Sequence, residues 1–269
     1  MTIQELRKQP HLSASSINDY TECSLLYKLS RIDKKPPEFT AESLAFGSTI
    51  HEVIAIYQNH RRENTSFTKE NMINCFQYYW AAKAKNKETI RFKGKDTYES
   101  LLLQGAGLIS LYYDYMVQSP YTVIGVEEAF TFTMEGVDVP IIGIIDLIEE
   151  DDSGTIIVSD TKTSKQSFSD EKIDRNFQLT LYHMALKANG YEDREILLKL
   201  DTLIKTKRPR FEAYYTTRTE DDEKRAIRKV TAIWEKIQSN IFLPNDTSWK
   251  CAGCAYQSYC NEWFAQEAV

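Results

Sequence analysis

Three charged side chains are spaced so that one hairpin would bring them together. Residues 141–165 read as two strands rich in isoleucine and valine around a turn at 151–154, which supplies hydrogen-bond acceptors and a glycine. With the turn near 152–153, facing residues have numbers that total about 305, and Asp146 and Asp160 total 306. This register predicts neighbouring carboxylates, with Lys162 on the same face as Asp160. Because like charges on adjacent strands destabilise a sheet, the pair predicts a cation between them.

The rest of the chain must supply the elements that hold this hairpin. Hydrophobic periodicity predicts helices over 13–30, 46–60, 67–118, 174–190 and 220–240, and strands over 122–134, 137–150, 196–204 and 211–217. Ser16 and Asp19 have capping-box spacing in the first of these helices. The order predicts a single α/β domain, residues 1–269, with a central mixed β-sheet flanked by helices at about 121–217 and a helical insertion at about 52–120.

Cysteine spacing indicates a second site. Cys251, Cys254 and Cys260 form a Cys-x2-Cys-x5-Cys cluster, which is one ligand short of a closed four-thiolate site. Cys23 is the predicted fourth ligand, so that residues 241–269 and Cys23 form one cluster region that joins the first helix to the tail. A structural Zn²⁺ ion and an iron–sulfur cluster both fit four thiolates, and the spacing does not separate them.

Other residues that could take part in chemistry lie on predicted helices and strands. His51 lies on the shoulder of the apolar stripe of the helix over 46–60. Gln178 and Tyr182 are four residues apart and share one helical face, which indicates either a role in the site or packing of the helix on the sheet. Glu127 and Glu128 read as ordinary strand residues, although one of them could approach the predicted cation.

Two basic stretches are candidate contacts for phosphate groups. The first runs from Lys83 to Lys95 and reads either as a solvated helix face and loop or as a phosphate track. The second is a turn between two predicted strands, and its candidate DNA-binding residues are Lys205, Lys207, Arg208 and Arg210.

Composition limits the class of protein. At 42% hydrophobic residues the chain can bury a sizeable core. No apolar run approaches the roughly 20 residues that span a bilayer, and the first residues lack the hydrophobic region of a secretion signal, so we expect no membrane association and a cytoplasmic location. In that reducing compartment the five cysteines are expected to bind metal rather than form disulfides. The net charge of −6 argues against non-specific nucleic-acid binding, although a groove needs only local positive charge.

Taken together, these residues resemble the RecB-type nucleases of the PD-(D/E)XK superfamily, and more narrowly the iron–sulfur-containing exonucleases of the AddB and CRISPR-associated type. The resemblance covers nearly the whole chain. Its motifs are the segment Phe46–His51, the Gly-x-x-Asp strand that ends at Asp146, the acidic-x-Lys strand Asp160–Lys162, the Gln-x-x-x-Tyr helix of Gln178 and Tyr182, and the one-plus-three cysteines. One departure is Asp160, because glutamate is frequent at that position.

The resemblance implies a restriction-endonuclease-like core and a metal-dependent DNA exonuclease that acts on single strands or duplex ends. The implied ligands of Mg²⁺ or Mn²⁺ are His51, Asp146, Asp160 and Thr161. The implied catalytic residues are Asp146, Asp160, Lys162, Gln178 and Tyr182. The four cysteines are implied to hold a 4Fe-4S cluster, with Zn²⁺ as the alternative occupant.

Two other functions compete with this interpretation. The first is a DNA-end-binding or scaffolding subunit of a recombination, repair or CRISPR adaptation complex, with little cleavage activity. The second is a zinc-stapled binding module, which would leave the paired carboxylates unexplained. The complete set of His51, Asp146, Asp160 and Lys162 favours the nuclease, since a scaffold needs no metal ligands.

Overall fold

A five-stranded mixed sheet forms the centre of the molecule. The structure is a computed structural model and describes residues 2–85 and 87–265. The strands are β1 (Thr40–Ala41), β2 (Ile90–Arg91), β3 (Thr122–Met134), β4 (Val137–Glu150), β5 (Ile156–Ser164), β6 (Ile196–Ile204) and β7 (Arg210–Thr216). The central sheet has the order β3-β4-β5-β6-β7, in which β5 and β6 are parallel and the other neighbours are antiparallel.

Helices cover this sheet on both sides, as the α/β fold class predicts. They are α1 (Ile3–Leu6), α2 (Ala14–Glu22), α3 (Ser24–Tyr27), α4 (Glu42–Arg62), α5 (Lys69–Ala84), α6 (Tyr98–Met116), α7 (Asp170–Asp174), α8 (Phe177–Leu186), α9 (Glu220–Gln238) and α10 (Gln257–Ala265). Leu147 and Ile148 are neighbours on β4 but belong to different hydrophobic cores, because successive strand residues face opposite sides. One core joins the sheet to α2, α8 and α9, and the other joins it to α4, α5 and α6.

The hairpin register is confirmed. β4 pairs with β5 from Glu150 with Ile156 to Leu147 with Ser159. The paired numbers total 306, and the next position in this register aligns Asp146 with Asp160. Crossover helices then return the chain to β6, which pairs with β5 along its full length. This parallel arrangement places the carboxyl ends of β5 and β6 at one edge, next to the predicted site.

The prediction of one continuous helix over 13–30 is wrong, because the chain forms two separate helices there. α2 ends at Glu22, and Cys23 has extended backbone angles of φ −161° and ψ 104° before α3 begins. The capping box is also shifted, because Ser13 is the N-cap and Ser16 is its N3 partner. The chain then ends this region in a π-helical turn at Lys28–Ile32. The break leaves Cys23 in a bend between two helices instead of on a helical face.

The predicted continuous helix over 67–118 is also wrong. α5 ends at Ala84, β2 pairs in parallel with β1, and α6 begins after Thr97, whose side chain accepts a hydrogen bond from the Ser100 N–H. Gly94, with φ +67°, turns the chain between β2 and α6. The apolar periodicity of the two flanking helices is real, but the segment between them is held by a pairing with residues about 50 positions away in sequence.

The crossover region differs from the predicted helix over 174–190 in a smaller way. A short helix, α7, precedes α8, and a π-helical turn at Lys187–Tyr191 follows it, with Gly190 at φ +95°. Gln178 and Tyr182 both lie on α8. Within the described ranges, no helix combines the length and the apolar character that crossing a membrane requires. Of the predicted cluster region, residues 266–269 lie outside the described residues.

Candidate active site

Asp146 and Asp160 lie where β4 and β5 stop pairing through their backbones. Beyond the pair of Leu147 with Ser159, the Thr161 N–H donates a hydrogen bond of 2.9 Å to Asp146 Oδ2. A carboxylate therefore takes the place of a backbone acceptor at this point of the ladder. The strands separate around these residues, which leaves room for side chains from α4 and α8.

Asp146 forms a compact group with His51 and Glu127, here called the acidic triad site. His51 Nδ1 lies 3.2 Å from Asp146 Oδ2. One ligand atom from each of the three residues lies within 4.8 Å of the others. α4 packs against β3 and β4, and this packing brings His51 to the sheet. The group offers two carboxylates and an imidazole, which is a donor set that suits Mn²⁺ and, through the oxygens, Mg²⁺.

Glu127 is the member of this group that sequence reasoning missed. Its backbone has φ +51°, a left-handed conformation that costs a non-glycine residue roughly 1 kcal/mol or more. It lies between Val126, which pairs with Leu147, and Glu128, which pairs with Ile145, and so lies across from Asp146. A strained backbone that turns a carboxyl toward a second carboxyl is typical of a functional site.

A bulge explains why the hairpin pattern did not reveal Glu127. Next to the turn, Met134 pairs with Val137, so that the numbers total 271. A register shift between Met134 and Phe132 raises the total to 273 along most of the ladder. Extrapolation from the turn would place Gly125 across from Asp146, whereas the shifted register places Glu127 there.

Asp160 and Lys162 belong to a hydrogen-bonded ring with two side chains of α8. Lys162 Nζ lies 2.9 Å from Asp160 Oδ2 and donates a 3.0 Å hydrogen bond to Gln178 Oε1. Gln178 Nε2 in turn donates to the Tyr182 hydroxyl at 2.6 Å, and that hydroxyl lies 3.5 Å from Asp160 Oδ1. The motif residues predicted from the sequence are thus brought together, and each fixes the orientation of the next.

The protonation of the site reflects burial and crowded negative charge. Burial, with repulsion from Asp146, raises the pKa of Asp160 in spite of the attraction of Lys162. Burial would lower the pKa of Lys162, but Asp160 and Asp146 outweigh it and raise that pKa above its ordinary value. For His51 the effect of burial is likewise outweighed, by the hydrogen bond and charge of Asp146, and the pKa is raised.

The carboxyl pKa of Glu127 is also raised. Although part of its side chain is exposed, burial of the carboxyl and the nearby charge of Asp146 raise its pKa to about 7, against the opposing effect of His51. Asp160 Oδ2 is fully buried and has no hydrogen-bond donor among the described residues apart from its ionic contact with Lys162. A raised carboxyl pKa and a buried carboxylate oxygen with spare acceptor capacity fit a divalent metal, whose charge would add to that of Lys162.

The predicted ligands divide into two sets. His51 and Asp146 belong to the acidic triad site, together with Glu127. Asp160 and Thr161 lie outside that three-residue group, Asp160 in the ring with Lys162 and Thr161 through its N–H to Asp146. Because Asp146 contacts both sets, one oxygen-rich centre extends from α4 across the sheet to α8.

The four predicted cluster cysteines line one cavity of about 630 Å³. Cys23 lies in the break between α2 and α3, Cys251 and Cys254 flank a 3₁₀ turn, and Cys260 lies on α10. All are free thiols. Burial, reinforced by the neighbouring thiols, raises the pKa of Cys254 and Cys260. Within the described residues, no cysteine belongs to a group of three potential ligands within 4.8 Å of one another.

Backbone hydrogen bonds connect the two chain segments that carry these cysteines. The Leu25 N–H donates to the Leu243 carbonyl at 3.1 Å, and the Leu243 N–H donates to Ser24 Oγ at 2.7 Å. Asn245 Nδ2 donates to the Glu22 carbonyl at 2.8 Å. The first helical region is therefore joined to the tail beside Cys23.

The residues of the predicted basic turn differ in how they are placed relative to the site. The Lys205 N–H bonds the Ser164 carbonyl at 2.7 Å, at the carboxyl ends of β5 and β6, and its amine lies 5.0 Å from the centre of the Phe46 ring on α4. Arg210 is paired with Glu212 at 2.6 Å. Lys207 and Arg208 are exposed. Lys205 is therefore the member of the turn that borders the site.

Comparison with known families identifies the fold. A family model described as the PD-(D/E)XK nuclease superfamily matches residues 11–261, and the chain belongs to this superfamily. Its mixed central sheet with flanking helices is the restriction-endonuclease-like fold that the sequence predicts. Nucleases of this superfamily use divalent metals, which agrees with the donors around Asp146.

A solved structure with the same fold supports this assignment. A protein from Eubacterium rectale named "Putative exonuclease" superimposes with a TM-score of 0.57 at 11% sequence identity, over 93% of this chain and 90% of that chain. A structure named SSO0001 is 16% identical over 89% of this chain and 94% of its own, and its TM-score is 0.37. No curated protein sequence matches this chain significantly.

Proposed function

We propose that this protein is a metal-dependent DNA exonuclease that hydrolyses phosphodiester bonds at DNA ends or in single strands. The main support for the proposal is that two groups of side chains meet at Asp146. On one side is the group of His51, Glu127 and Asp146, and on the other is the ring of Asp160 and Lys162. A metal site directly beside a fixed cation is what attack on an anionic phosphodiester requires.

When bound, Mg²⁺ or Mn²⁺ supplies a Lewis acid that neutralises phosphate charge and lowers the pKa of a water. Asp146, Asp160, His51 and Glu127 would hold it, and Thr161 keeps Asp146 in place through its N–H. Lys162 stays protonated at neutral pH because its pKa is raised. It therefore acts by stabilising the attacking hydroxide or the charge that develops on the phosphoryl group, and not by accepting a proton.

Gln178 and Tyr182 position that ammonium group. The Gln178 carbonyl oxygen accepts a hydrogen bond from Lys162, and its amide donates to the Tyr182 hydroxyl. Tyr182 is buried and anchored against Phe130 on the sheet, so the ring cannot rotate freely. The exonuclease preference is supported by the name of the Eubacterium rectale structure and by the motif resemblance.

We further propose that the cysteines hold a structural iron–sulfur cluster of the 4Fe-4S type. The four thiols line one cavity, and hydrogen bonds beside Cys23 join the chain segments that carry them. The motif resemblance supports an iron–sulfur cluster over Zn²⁺, and iron and zinc analysis of the anaerobically purified protein distinguishes the two.

The proposed activity is tested by digestion of end-labelled single- and double-stranded DNA with Mn²⁺, Mg²⁺ or EDTA. Wild type is compared with Asp160→Ala and Lys162→Ala, and with Asp152→Ala, which removes an exposed carboxylate in the turn at the far end of the hairpin. We expect metal-dependent cleavage that only the first two variants abolish, and the label position gives the polarity. Equal, minimal cutting by all four proteins that still bind DNA would support the scaffolding function instead.

A further inference from the structure

A basic segment lies between the metal site and the cysteine cavity. Residues 83–96, here called the basic segment, carry six positive and two negative side chains, a net of +4 in a chain of net charge −6. Lys85, Lys87, Lys93 and Lys95 are exposed, and in the described part of the chain none has a carboxylate within 4.0 Å of its amine. Uncompensated charge on an acidic protein indicates an anionic ligand.

Both ends of the basic segment border the metal site. Lys83 Nζ contacts Ser48 Oγ at 3.0 Å and Glu52 at 3.3 Å, on the same helix as His51. Asp96 contacts Lys165 at 3.6 Å, just beyond the end of β5. Lys165 and the half-buried Lys205 lie close enough that their charges repel, and Lys205 has no carboxylate within 4.0 Å among the described residues. The two basic stretches of the sequence therefore meet at the carboxyl ends of β5 and β6.

The middle of the basic segment borders the cysteine cavity. Arg91, Phe92 and Lys93 line that cavity, and the Arg91 guanidinium lies 3.4 Å from the centre of the Phe39 ring. A methyl group on Gly253, beside Cys254, would lie 3.9 Å from Lys93 Nζ. A surface with several basic side chains, interrupted by the pairs of Lys83 with Glu52 and of Lys165 with Asp96, thus extends from Lys205 to the cysteine-bearing tail.

An exposed tryptophan stands at the far end of this surface. Trp249 lines the mouth of the cysteine cavity and is 78% exposed, an unusual state for so large an apolar side chain. Lys250 pairs with Glu22, and its amine lies 5.7 Å from the centre of the Trp249 ring. The indole therefore stands exposed at the mouth of the cavity, beside an anchored lysine. Exposed aromatic rings beside a cationic track are how proteins bind unpaired nucleic-acid bases.

We propose that this surface binds the single-stranded DNA adjoining the cut, with phosphates on the lysines of the basic segment and an unpaired base stacked on Trp249. The inference rests on the proposed function, because it takes the metal site as the place of the cut. Duplex DNA does not fit the same contact, since its bases are already stacked and an exposed indole has no free base face to meet.

Binding is measured by fluorescence anisotropy in EDTA, so that cleavage plays no part. Fluorescein-labelled single strands of about 4 to about 16 nucleotides and a blunt duplex are titrated with wild type, Trp249→Ala, Trp249→Phe and Tyr78→Ala. Tyr78 is the matched control, an aromatic side chain on α5 that is 71% exposed and lies away from the buried face of that helix. Iron content is measured for each variant to confirm that the tail remains intact.

We expect Trp249→Ala to weaken binding of the longer strands about 10-fold, with little effect on the shortest strand or on the duplex. Trp249→Phe should restore most of the affinity, and Tyr78→Ala should match wild type. Lys93→Ala should reduce the slope of log affinity against log salt concentration by roughly one. Equal affinities of wild type and Trp249→Ala at every length would overturn the inference, as would the same loss on duplex. Metal-dependent cleavage by a protein whose DNA binding does not depend on Trp249 would refute the proposed surface but not the nuclease activity. DNA binding that depends on Trp249, without cleavage, would refute the nuclease activity but not the surface.

Discussion

The metal site and the cysteine cavity are built in opposite ways. Around Asp146 the functional side chains come from three strands and two packed helices, and most of them already bond to one another. The four cysteines come from a bend, a 3₁₀ turn and a short helix, and they line a cavity without forming a compact ligand group among the described residues. The first site is held by the sheet, whereas the second depends on two chain segments joined by hydrogen bonds and by the packing of Phe242 against Tyr20 and Tyr27.

This difference predicts separate roles for the two sites. Metal binding to the acidic triad site needs little rearrangement, because the Thr161 N–H holds Asp146 and the packing of α4 on β3 and β4 holds His51. Cluster binding to the cysteines would bring the Cys23 bend and the tail together and contribute directly to folding. We therefore expect loss of the cluster to lower stability, and loss of a carboxylate to lower activity, each with little effect on the other property.

The largest effect is expected for Asp146→Asn. This change removes the carboxylate charge that contacts both His51 Nδ1 and the Thr161 N–H. Cleavage should fall at least about 10³-fold, which corresponds to a loss of about 4 kcal/mol of transition-state stabilisation. Initial rates and Mn²⁺ titration measure the loss, with Asp152→Asn in the turn as the control. Iron content should not change, and a parallel loss of iron would show that the two regions are not independent.

The second effect is expected for Cys254→Ser. The variant should lose its iron, and the Tm should fall by about 10 °C, because a structural cluster contributes to the free energy of folding. Mn²⁺ affinity at the other site should stay within about threefold. The matched control is Cys75→Ser, which alters a half-buried thiol packed against the core formed with α4, α5 and α6. An unchanged Tm after loss of iron would contradict a stabilising role.

A third test measures how pH affects metal binding at the acidic triad site. The pKa of Glu127 is about 7, so its carboxyl is mostly protonated at pH 6 and must release a proton to bind a metal. The raised pKa of His51 acts in the same direction, since a protonated imidazole cannot be a ligand. Mn²⁺ affinity should therefore rise about 10-fold from pH 6 to pH 8, as measured by calorimetry with proton release counted in two buffers. Glu127→Gln should flatten the curve, and a pH dependence identical to wild type would remove Glu127 from the site.

The smallest effect is expected for Tyr182→Phe. It removes one hydroxyl from the ring that holds Lys162 and should lower kcat about 10-fold, with at most about 1.5 kcal/mol of stability lost. Tyr112→Phe is closely matched, because each tyrosine hydroxyl accepts a 2.6 Å hydrogen bond from a glutamine amide, Gln178 or Gln58. The control should lose similar stability and no activity. Equal rates for both variants would mean that Tyr182 only packs the helix on the sheet.

Local patterns in the sequence were enough to predict the centre of the fold. The turn at 151–154 and the alternation on either side of it determine the register of β4 with β5. That register is confirmed from Glu150 with Ile156 to Leu147 with Ser159, and its continuation by one position aligns Asp146 with Asp160. The two later strands are confirmed to within one residue. These elements depend on short-range turn chemistry and on the period of two, both of which are visible in the chain.

Long-range pairing explains what the sequence did not predict. The apolar pattern over 67–118 contains no sign of the parallel contact between β1 and β2 that interrupts it. The bulge that moves Glu127 across from Asp146 lies between Phe132 and Met134, and it becomes visible when the register of β3 with β4 is known over the whole ladder. The break at Cys23 follows from hydrogen bonds to residues near Leu243, more than 200 positions away. Such features belong to the tertiary structure, and periodicity cannot report them.

The contact between Ser24 and Leu243 also determines when the cluster region can assemble during synthesis. The two residues are 219 positions apart, and every strand of the central sheet lies between them. A ribosome therefore delivers Cys23 long before Cys251, Cys254 and Cys260 emerge. Throughout that interval the nascent chain carries an unmatched thiol beside a partly folded sheet. For the proposed iron–sulfur cluster, iron and sulfur could therefore join all four thiols only after every strand of the central sheet has been synthesised.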